Sequence, residues 1–352
     1  MQKIVLTGGG SAGHVTPNLA LLPSLRALCD VVYIGTDGIE RRLLQNTGVP
    51  FYTVKAPKLV RGSLFANLAL PVRFALSLRA ARRALRAIRP AAVFSKGGYA
   101  ALPVAWAAAS LHIPVVTHES DLSPGLANRL IARRARAALT SFPETAAKLP
   151  RGRYAGSPVR PELLRADRAA ALRKYGFSGG KPVLLCFGGG SGSAALNAAL
   201  EGALPALLPR FDVLHLCGKA GASDKNKSAL SAKDGYVRLE FERDMASAYA
   251  AADLALARAG SNTVFELLAL KKPSLLVPLE NRRSRGDQVE NALYFQRRGL
   301  VRVLRERDLS PAVLPAALND LADDGALRAA LQAGAFRSGN AAIVQELQKY
   351  LR

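Results

Sequence analysis

Cysteine is scarce in this chain. Only Cys29, Cys186 and Cys217 occur among its 352 residues, an odd number with no C-x-x-C spacing. That excludes a disulfide framework and a cysteine-built zinc site, and suits a reducing compartment. Aromatic residues are also few, at 6%, and no nucleic-acid recognition motif is visible, so nucleic acid is not an expected partner. One uncharged run, YAALPVAWAAASLHIPVV from Tyr99 to Val116, is long enough to raise the question of a membrane span. Pro103, Ser110, His112 and Pro114 interrupt it, and it parses as a buried helix near 101–111 followed by a buried strand near 113–117. The start, MQKIVLTGGG, has too few residues before its glycines for a signal peptide and reads as a first strand.

Acidic residues are the third shortage. The formal charge is +23, and residues 1–160 hold 22 Lys/Arg against 6 Asp/Glu. No acid lies between Glu40 and Glu119, while 12 basic residues do. Arg79, Arg82, Arg86 and Arg89 step by 3, 4 and 3, which on a helix makes one cationic stripe. Just before them, Leu64, Leu68, Val72 and Ala75 fall on another helical face. Apolar residues beside a basic stripe fit an anionic membrane surface, where each cation near the headgroups contributes about 1 kcal/mol. An ordinary solvated face is the alternative.

What the chain has in quantity is alternation. Short apolar runs such as KIVLT, VVYIG, AAVFS and PVVTH each lead into a helical pattern, near 16–29, 38–46, 101–111 and 123–135. After AGSPVRPE the alternation restarts with PVLLCFGGG and continues through DVLHLCG, YVRLE, DLALA and SLLVPL, with helices near 193–208, 261–270 and 287–298. Buried strands each followed by a helix predict parallel sheets covered on both faces. The length exceeds the roughly 250 residues usual for one core. The fold class is therefore α/β, with two doubly wound, Rossmann-like domains joined near Gly156, Pro158 and Pro161.

In such sheets ligands bind at the carboxyl ends of strands. TGGGSAGHVTP is one such place: Gly8, Gly10 and Gly13 fit the G-x-G-x-x-G spacing, and Asp37 stands where a dinucleotide site would want a ribose acid. The rest of the chain offers no nicotinamide half-site. FGGGSGSAALN repeats the Gly-rich turn in the second half, so two loops could each hold a phosphate through peptide N–H groups and a helix dipole. In ARAGSNTVFE, Gly260 and Ser261 open a helix with Glu266 on its second turn, where a carboxylate can accept two hydrogen bonds from a ribose cis-diol. Asp287, Gln288 and Asn291 follow at the next junction. Singly, Glu266 reads as a solvated helix residue and Gln288 as a cap; together they favour a nucleotide-sugar site. No D-x-D metal motif occurs. Of the candidate bases, His14 comes first because an unperturbed imidazole suits proton transfer near neutral pH; it could instead orient a ligand, and Glu119 and Asp37 are the others.

GGGSAGHVTP, FSKGGY, HESDLSPGLAN, GSPVR, FGGGSGSAALN, RAGSNTVFE and GDQVENA together resemble the MurG family of membrane-associated UDP-N-acetylglucosamine transferases, in order along nearly the whole chain. The resemblance implies a GT-B architecture, its two domains facing across a cleft. Residues 1–157 with a C-terminal helix 336–352 would form an acceptor and membrane-associating domain, and residues 158–335 a UDP-GlcNAc donor domain. It implies inverting, metal-independent and cofactor-free transfer of GlcNAc from UDP-GlcNAc to the MurNAc 4-hydroxyl of lipid I. That makes lipid II for peptidoglycan synthesis, hence cell shape and division, at the cytoplasmic face of an anionic inner membrane. On the donor side the resemblance implies Glu266 at the ribose, Gln288 and Asp287 at the sugar, with Gly260, Ser261, Asn262 and Asn291 nearby. Backbone around Glu242 to Met245 would meet the uracil, and Gly189, Gly190, Ser191, Gly192 and Arg160 the diphosphate. On the acceptor side it implies Gly9, Gly10, Ser11, Ala12, Gly13, His14, Lys96, Gly97, Gly98, Tyr99, His118 and Asp121. Gly190 stands where the family has serine, so a hydroxyl contact must shift to Ser191 or be lost. Rival readings are a diacylglycerol glycosyltransferase and a UDP-GlcNAc 2-epimerase.

Overall fold

The computed structural model describes residues 1–59, 64–221, 234–280, 286–334, 336 and 338–351. Ser284 and Arg285, just before the GDQVENA stretch, and the side chain of Leu64 lie outside that set. The chain forms two compact units, Met1–Arg160 with Arg337–Arg352, and Pro161–Phe336.

Unit 1 is built on seven parallel strands: β1 (Lys3–Thr7), β2 (Asp30–Gly35), β3 (Phe51–Thr53), β4 (Ala92–Ser95), β5 (Val115–Glu119), β6 (Ala137–Thr140) and β7 (Gly152–Tyr154). Their order is β3-β2-β1-β4-β5-β6-β7. Alternate residues of β1 face opposite layers, as the period of a strand requires. Ile4 and Leu6 join Leu21 and Leu25 of the helix Thr16–Arg26, while Val5 joins Ala81, Leu85, Val104 and Ala108 from two helices on the other face. The helix Asn340–Gln348 completes the first layer with Ile343, Val344 and Leu347. Asn340 fastens it: its Oδ1 accepts Val159 N–H at 3.0 Å, and its Nδ2 donates to Val159 O at 2.8 Å and Ala20 O at 3.3 Å.

Unit 2 has six parallel strands: β8 (Val183–Phe187), β9 (Asp212–Leu216), β10 (Tyr236–Leu239), β11 (Leu254–Ala257), β12 (Ser274–Leu276) and β13 (Arg302–Val303), in the order β10-β9-β8-β11-β12-β13. Strands β8 and β11 are buried throughout. Two doubly wound parallel sheets are the architecture the alternation predicts.

The uncharged run at 99–116 divides as expected, into the helix Ala101–Ser110 and strand β5. No helix among the described residues is long and apolar enough to cross a membrane. The basic segment departs from expectation. Its apolar lead is broken at Leu68–Ala69, ahead of Pro71, into the helices Leu64–Asn67 and Leu70–Ile88. In the longer helix Ser77, Ala81, Leu85 and Ile88 face inward. Exposed Val72 and Leu76 are followed at steps of 3 and 4 by exposed Arg79 and Arg83. Apolar and cationic residues therefore share one outward face, end to end, and do not occupy two. Arg89 is a left-handed cap at φ +52° and leaves the stripe.

Candidate functional site

In unit 1 the strand order reverses between β1 and β4, and the loops leaving those strands meet there. Gly8 to Ser11 leads into the 3-10 turn Ala12–His14. Close packing explains the glycines. A Cβ on Gly9 would lie 1.9 Å from Glu40 Oε1, and one on Gly10, at φ +86°, would lie 2.3 Å from the Tyr99 ring. A Cβ on Gly98, at φ +81°, would meet Gly9 O at 2.3 Å and His14 Nδ1 at 3.1 Å. His14, Gly97, Gly98 and Tyr99 are thus brought against the first loop. Ser11 Oγ lies 2.9 Å from His14 Nδ1 and orients the imidazole.

Two donors of this loop are already committed. Gly9 N–H donates to Gly97 O at 3.4 Å, and Gly10 N–H to the buried Glu40 carboxylate at 3.2 Å. Thr36 Oγ1 holds the same Glu40 oxygen at 2.7 Å. The idea of a diphosphate cradle over residues 8–13 therefore narrows to Ser11 and Ala12, whose N–H groups open the 3-10 turn, with Gly13 exposed beside them.

Two expected acceptor contacts, His118 and Lys96, and one candidate base, Glu119, are held by internal hydrogen bonds. His118 is fully buried, and its Nε2–H donates to Gly156 O at 2.9 Å. Burial, reinforced by Lys96, holds its imidazole well below the usual pKa, so the ring is neutral and does not reach the surface. Lys96 is buried as well, with Nζ on Ser120 Oγ. Burial pushes its pKa down to about 8, against the opposing pull of Glu119 and Asp121. Glu119 binds its own loop: Oε1 accepts Asp121 N–H at 3.0 Å, while Oε2 accepts Gly125 N–H and Asn128 Nδ2–H, both at 2.9 Å. Asp121 is half-buried at the turn so formed. Asp37 lies outside this cluster, its carboxylate paired with Arg41 at 2.5 Å and 68% exposed.

In unit 2 the order reverses between β8 and β11. The loop after β8 is open where the first is crowded: Cβ atoms on Gly189 and Gly190 would meet nothing within 4 Å, and Ser191 is exposed. Ser193 caps the following helix, Ala194–Leu207, accepting Leu196 N–H at 3.3 Å. Exposed N–H groups ahead of a fourteen-residue helix favour an anion. Gly192 packs on Cys217 O and Gly218, where any Cβ would come within 2.2 Å. Behind them Asn197 Nδ2 donates to Cys217 O at 2.9 Å, Asn197 Oδ1 accepts His215 Nε2–H at 3.0 Å, and Tyr236 O–H donates to His215 Nδ1 at 2.8 Å. Burial, then Arg238, pushes His215 down to about 3.

After β11, Gly260 caps the helix Ser261–Ala269, placing half-buried Ser261 and Asn262 at its mouth and buried Glu266 on the second turn. Tyr249 O–H donates to Glu266 Oε2 at 3.0 Å. Gly286, at φ +77°, starts the helix Asp287–Gln296. Gln288 Oε1 accepts Leu279 N–H at 3.0 Å, so its amide nitrogen is the group turned to other use. Asn291 is fully buried, on the second turn of that helix. The 240–245 turn is held by Glu242, whose carboxylate accepts Asp244 N–H at 2.7 Å and Tyr175 O–H at 2.9 Å and pairs with Lys174 at 3.1 Å. Burial would raise that carboxyl, but these partners bring it below its ordinary range. Met245 opens the next helix. Arg160 is the last residue of unit 1 before the chain enters unit 2. No group of three His, Cys, Asp or Glu side chains converges as a metal centre needs, among the described residues.

The glycosyltransferase family 28 N-terminal domain profile matches residues 4–140, and the family's C-terminal domain profile matches residues 183–347. The chain belongs to glycosyltransferase family 28. Among family relatives, the UDP-N-acetylglucosamine–N-acetylmuramyl-(pentapeptide) pyrophosphoryl-undecaprenol N-acetylglucosamine transferase of Lachnospira eligens is 46% identical, over 92% of each chain. The enzyme of the same name from Clostridium kluyveri is 43% identical over 89% of each. The crystal structure of Acinetobacter baumannii MurG covers 99% of both chains with a TM-score of 0.76 and 27% identity. Its fold is the two-sheet architecture described above.

Three residues that hydrogen-bond to the candidate loops escape sequence reasoning: Asn128, Tyr249 and Arg258. Asn128 ties Glu119 to the Gly97 turn, where a Cβ would come 2.4 Å from its Oδ1. Its position in HESDLSPGLAN was the available signal. Tyr249 had none, because its link to Glu266 is purely spatial.

Proposed function

We propose that this chain transfers GlcNAc from UDP-GlcNAc to the MurNAc 4-hydroxyl of lipid I, giving lipid II with inversion at the anomeric carbon. The observation that carries the reading is the ordered donor apparatus of unit 2, in a chain whose relatives of 43–46% identity bear that activity in their names. Glu266, steadied by Tyr249, takes the ribose hydroxyls. The N–H groups of Gly190 and Ser191 and the helix behind Ser193 face the diphosphate, with Arg160 adding charge. They stabilise the leaving UDP as negative charge builds on it. The Gln288 amide and Asp287 meet the sugar, and the Glu242–Met245 backbone the uracil.

On unit 1, Ser11, Ala12, Gly98, Tyr99 and Asp121 surround the acceptor, and His14 removes the proton from its hydroxyl. Glu119 is engaged by three N–H donors and Asp37 by Arg41, which favours His14 among the three. The exposed face of Val72, Leu76, Arg79 and Arg83 rests on an anionic membrane, on the cytoplasmic side where UDP-GlcNAc is found. The test is transfer of radiolabel from UDP-GlcNAc to a lipid I analogue, with chelator present. Product formed only with diacylglycerol, or epimer formed with UDP-GlcNAc alone, overturns the reading.

A further inference from the structure

Four adjacent strands of unit 2 end around a single guanidinium. Arg258 follows directly on β11 and is buried, at 9% exposure. Its Nη2 donates to Ser193 Oγ at 2.7 Å, reaching the loop beyond β8. Its Nη1 donates to Val277 O at 3.2 Å and Pro278 O at 3.4 Å, beyond β12. Nη2 also meets Glu306 Oε1, beyond β13. Glu306 then turns its second oxygen back to Glu280 N–H at 3.1 Å. The segment 277–280 is thereby gripped from both sides, and its Leu279 N–H is the group that fixes Gln288.

We infer that Arg258 and Glu306 form a positioning pair that sets the diphosphate loop and Gln288 in register with each other. The inference rests on the donor reading of unit 2 and deepens it. Neither side chain need touch the nucleotide sugar. One planar fork satisfies acceptors on two flanking loops at once, which a lysine's point charge cannot reproduce. The Glu306 carboxylate keeps the buried cation neutralised, as a buried charge requires. Ser193 is the link to the phosphate side, since its oxygen accepts from both Arg258 and the first turn of the helix.

The test uses the full chain with Arg258→Lys, Arg258→Met, Glu306→Gln and Ser193→Ala. Titration with UDP gives Kd, and steady-state kinetics give KM for UDP-GlcNAc and, separately, for a lipid I analogue. Loss of buried charge-assisted bonds predicts a Kd for UDP raised roughly 10- to 100-fold in Arg258→Met and about tenfold in Glu306→Gln. Arg258→Lys recovers part of the loss, and KM for lipid I stays within about twofold throughout, because the pair acts on one substrate only. Ser193→Ala and Arg258→Met combine non-additively on UDP affinity, since they remove ends of one contact. Should Arg258→Met fail to fold, Glu306→Gln and Ser193→Ala carry the same comparison. Folded variants that bind UDP as the wild type does overturn the positioning role while leaving the donor reading standing. A wild-type chain that does not bind UDP overturns both.

Discussion

Replacing Glu119 by glutamine separates two roles that this carboxylate could fill. The side chain is 4% exposed and accepts N–H groups from Asp121, Gly125 and Asn128 at 2.9–3.0 Å. Glutamine has one oxygen in place of two. Its best pose keeps the two bonds to Gly125 and Asn128 and turns an amide NH2 toward the Asp121 N–H. One charge-assisted bond is lost, a buried donor is left facing another donor, and the surviving bonds lose their charge. Those changes sum to about 3 kcal/mol. A domain of this size loses roughly 2–4 °C of Tm per kcal/mol, so the melting transition should fall by about 6–12 °C. Calorimetric melting gives that number. Kinetics with lipid I varied should show a higher acceptor KM and a milder loss of kcat, because the 119–128 turn is disordered while His14 is untouched. The opposite result refutes the reasoning. If Tm moves by less than about 2 °C while kcat drops by about a thousandfold, Glu119 is itself the proton acceptor.

Four further outcomes follow from the same geometry. Glu266→Ala should weaken UDP binding roughly 10- to 100-fold by calorimetry, and Tyr249→Phe by less than about tenfold, since it removes only the orienting bond. Gly98→Ala places a methyl 2.3 Å from Gly9 O at a positive φ and should abolish acceptor turnover while leaving UDP affinity intact. His215 titrates near 3 in the folded chain and near 6.5 unfolded, so the unfolded state binds the extra proton between those values. Stability should therefore decline as pH falls through that window, by up to about 1.4 kcal/mol per unit from this residue, and His215→Gln should flatten the slope in denaturant titrations. Val72→Glu with Leu76→Glu should abolish sedimentation with anionic vesicles yet leave transfer to a soluble lipid I analogue unchanged.

The fold was legible because parallel strands buried on both faces announce themselves as apolar runs, and each is followed by a helical pattern. The candidate donor positions were legible for a related reason: Gly260 and Glu266 lie at short, fixed steps from the end of β11, and Gln288 opens the helix Asp287–Gln296. What a linear reading misjudged was depth. His118, Lys96 and Asn291 sit in motifs singled out for the site, yet each side chain is buried, and how deep it lies depends on strands far away in sequence. His118 meets Gly156, thirty-eight positions on. Glu40 was unreadable as the partner of Gly10, because β2 and its helix must first lie beside β1. The mixed face of the helix Leu70–Ile88 was within reach of period arithmetic, but it required Arg83 to be counted in place of Arg89.

The return of the helix Asn340–Gln348 to the first layer has a bearing on biosynthesis. Unit 2 is complete in sequence before unit 1 is, since Ile343, Val344 and Leu347 leave the ribosome after every strand of both sheets. The later-numbered half can thus reach its native state while the earlier one still exposes Leu21 and Leu25 to water. A stop codon just ahead of Asn340 would leave unit 2 whole and strip unit 1, although made first, of its last covering helix.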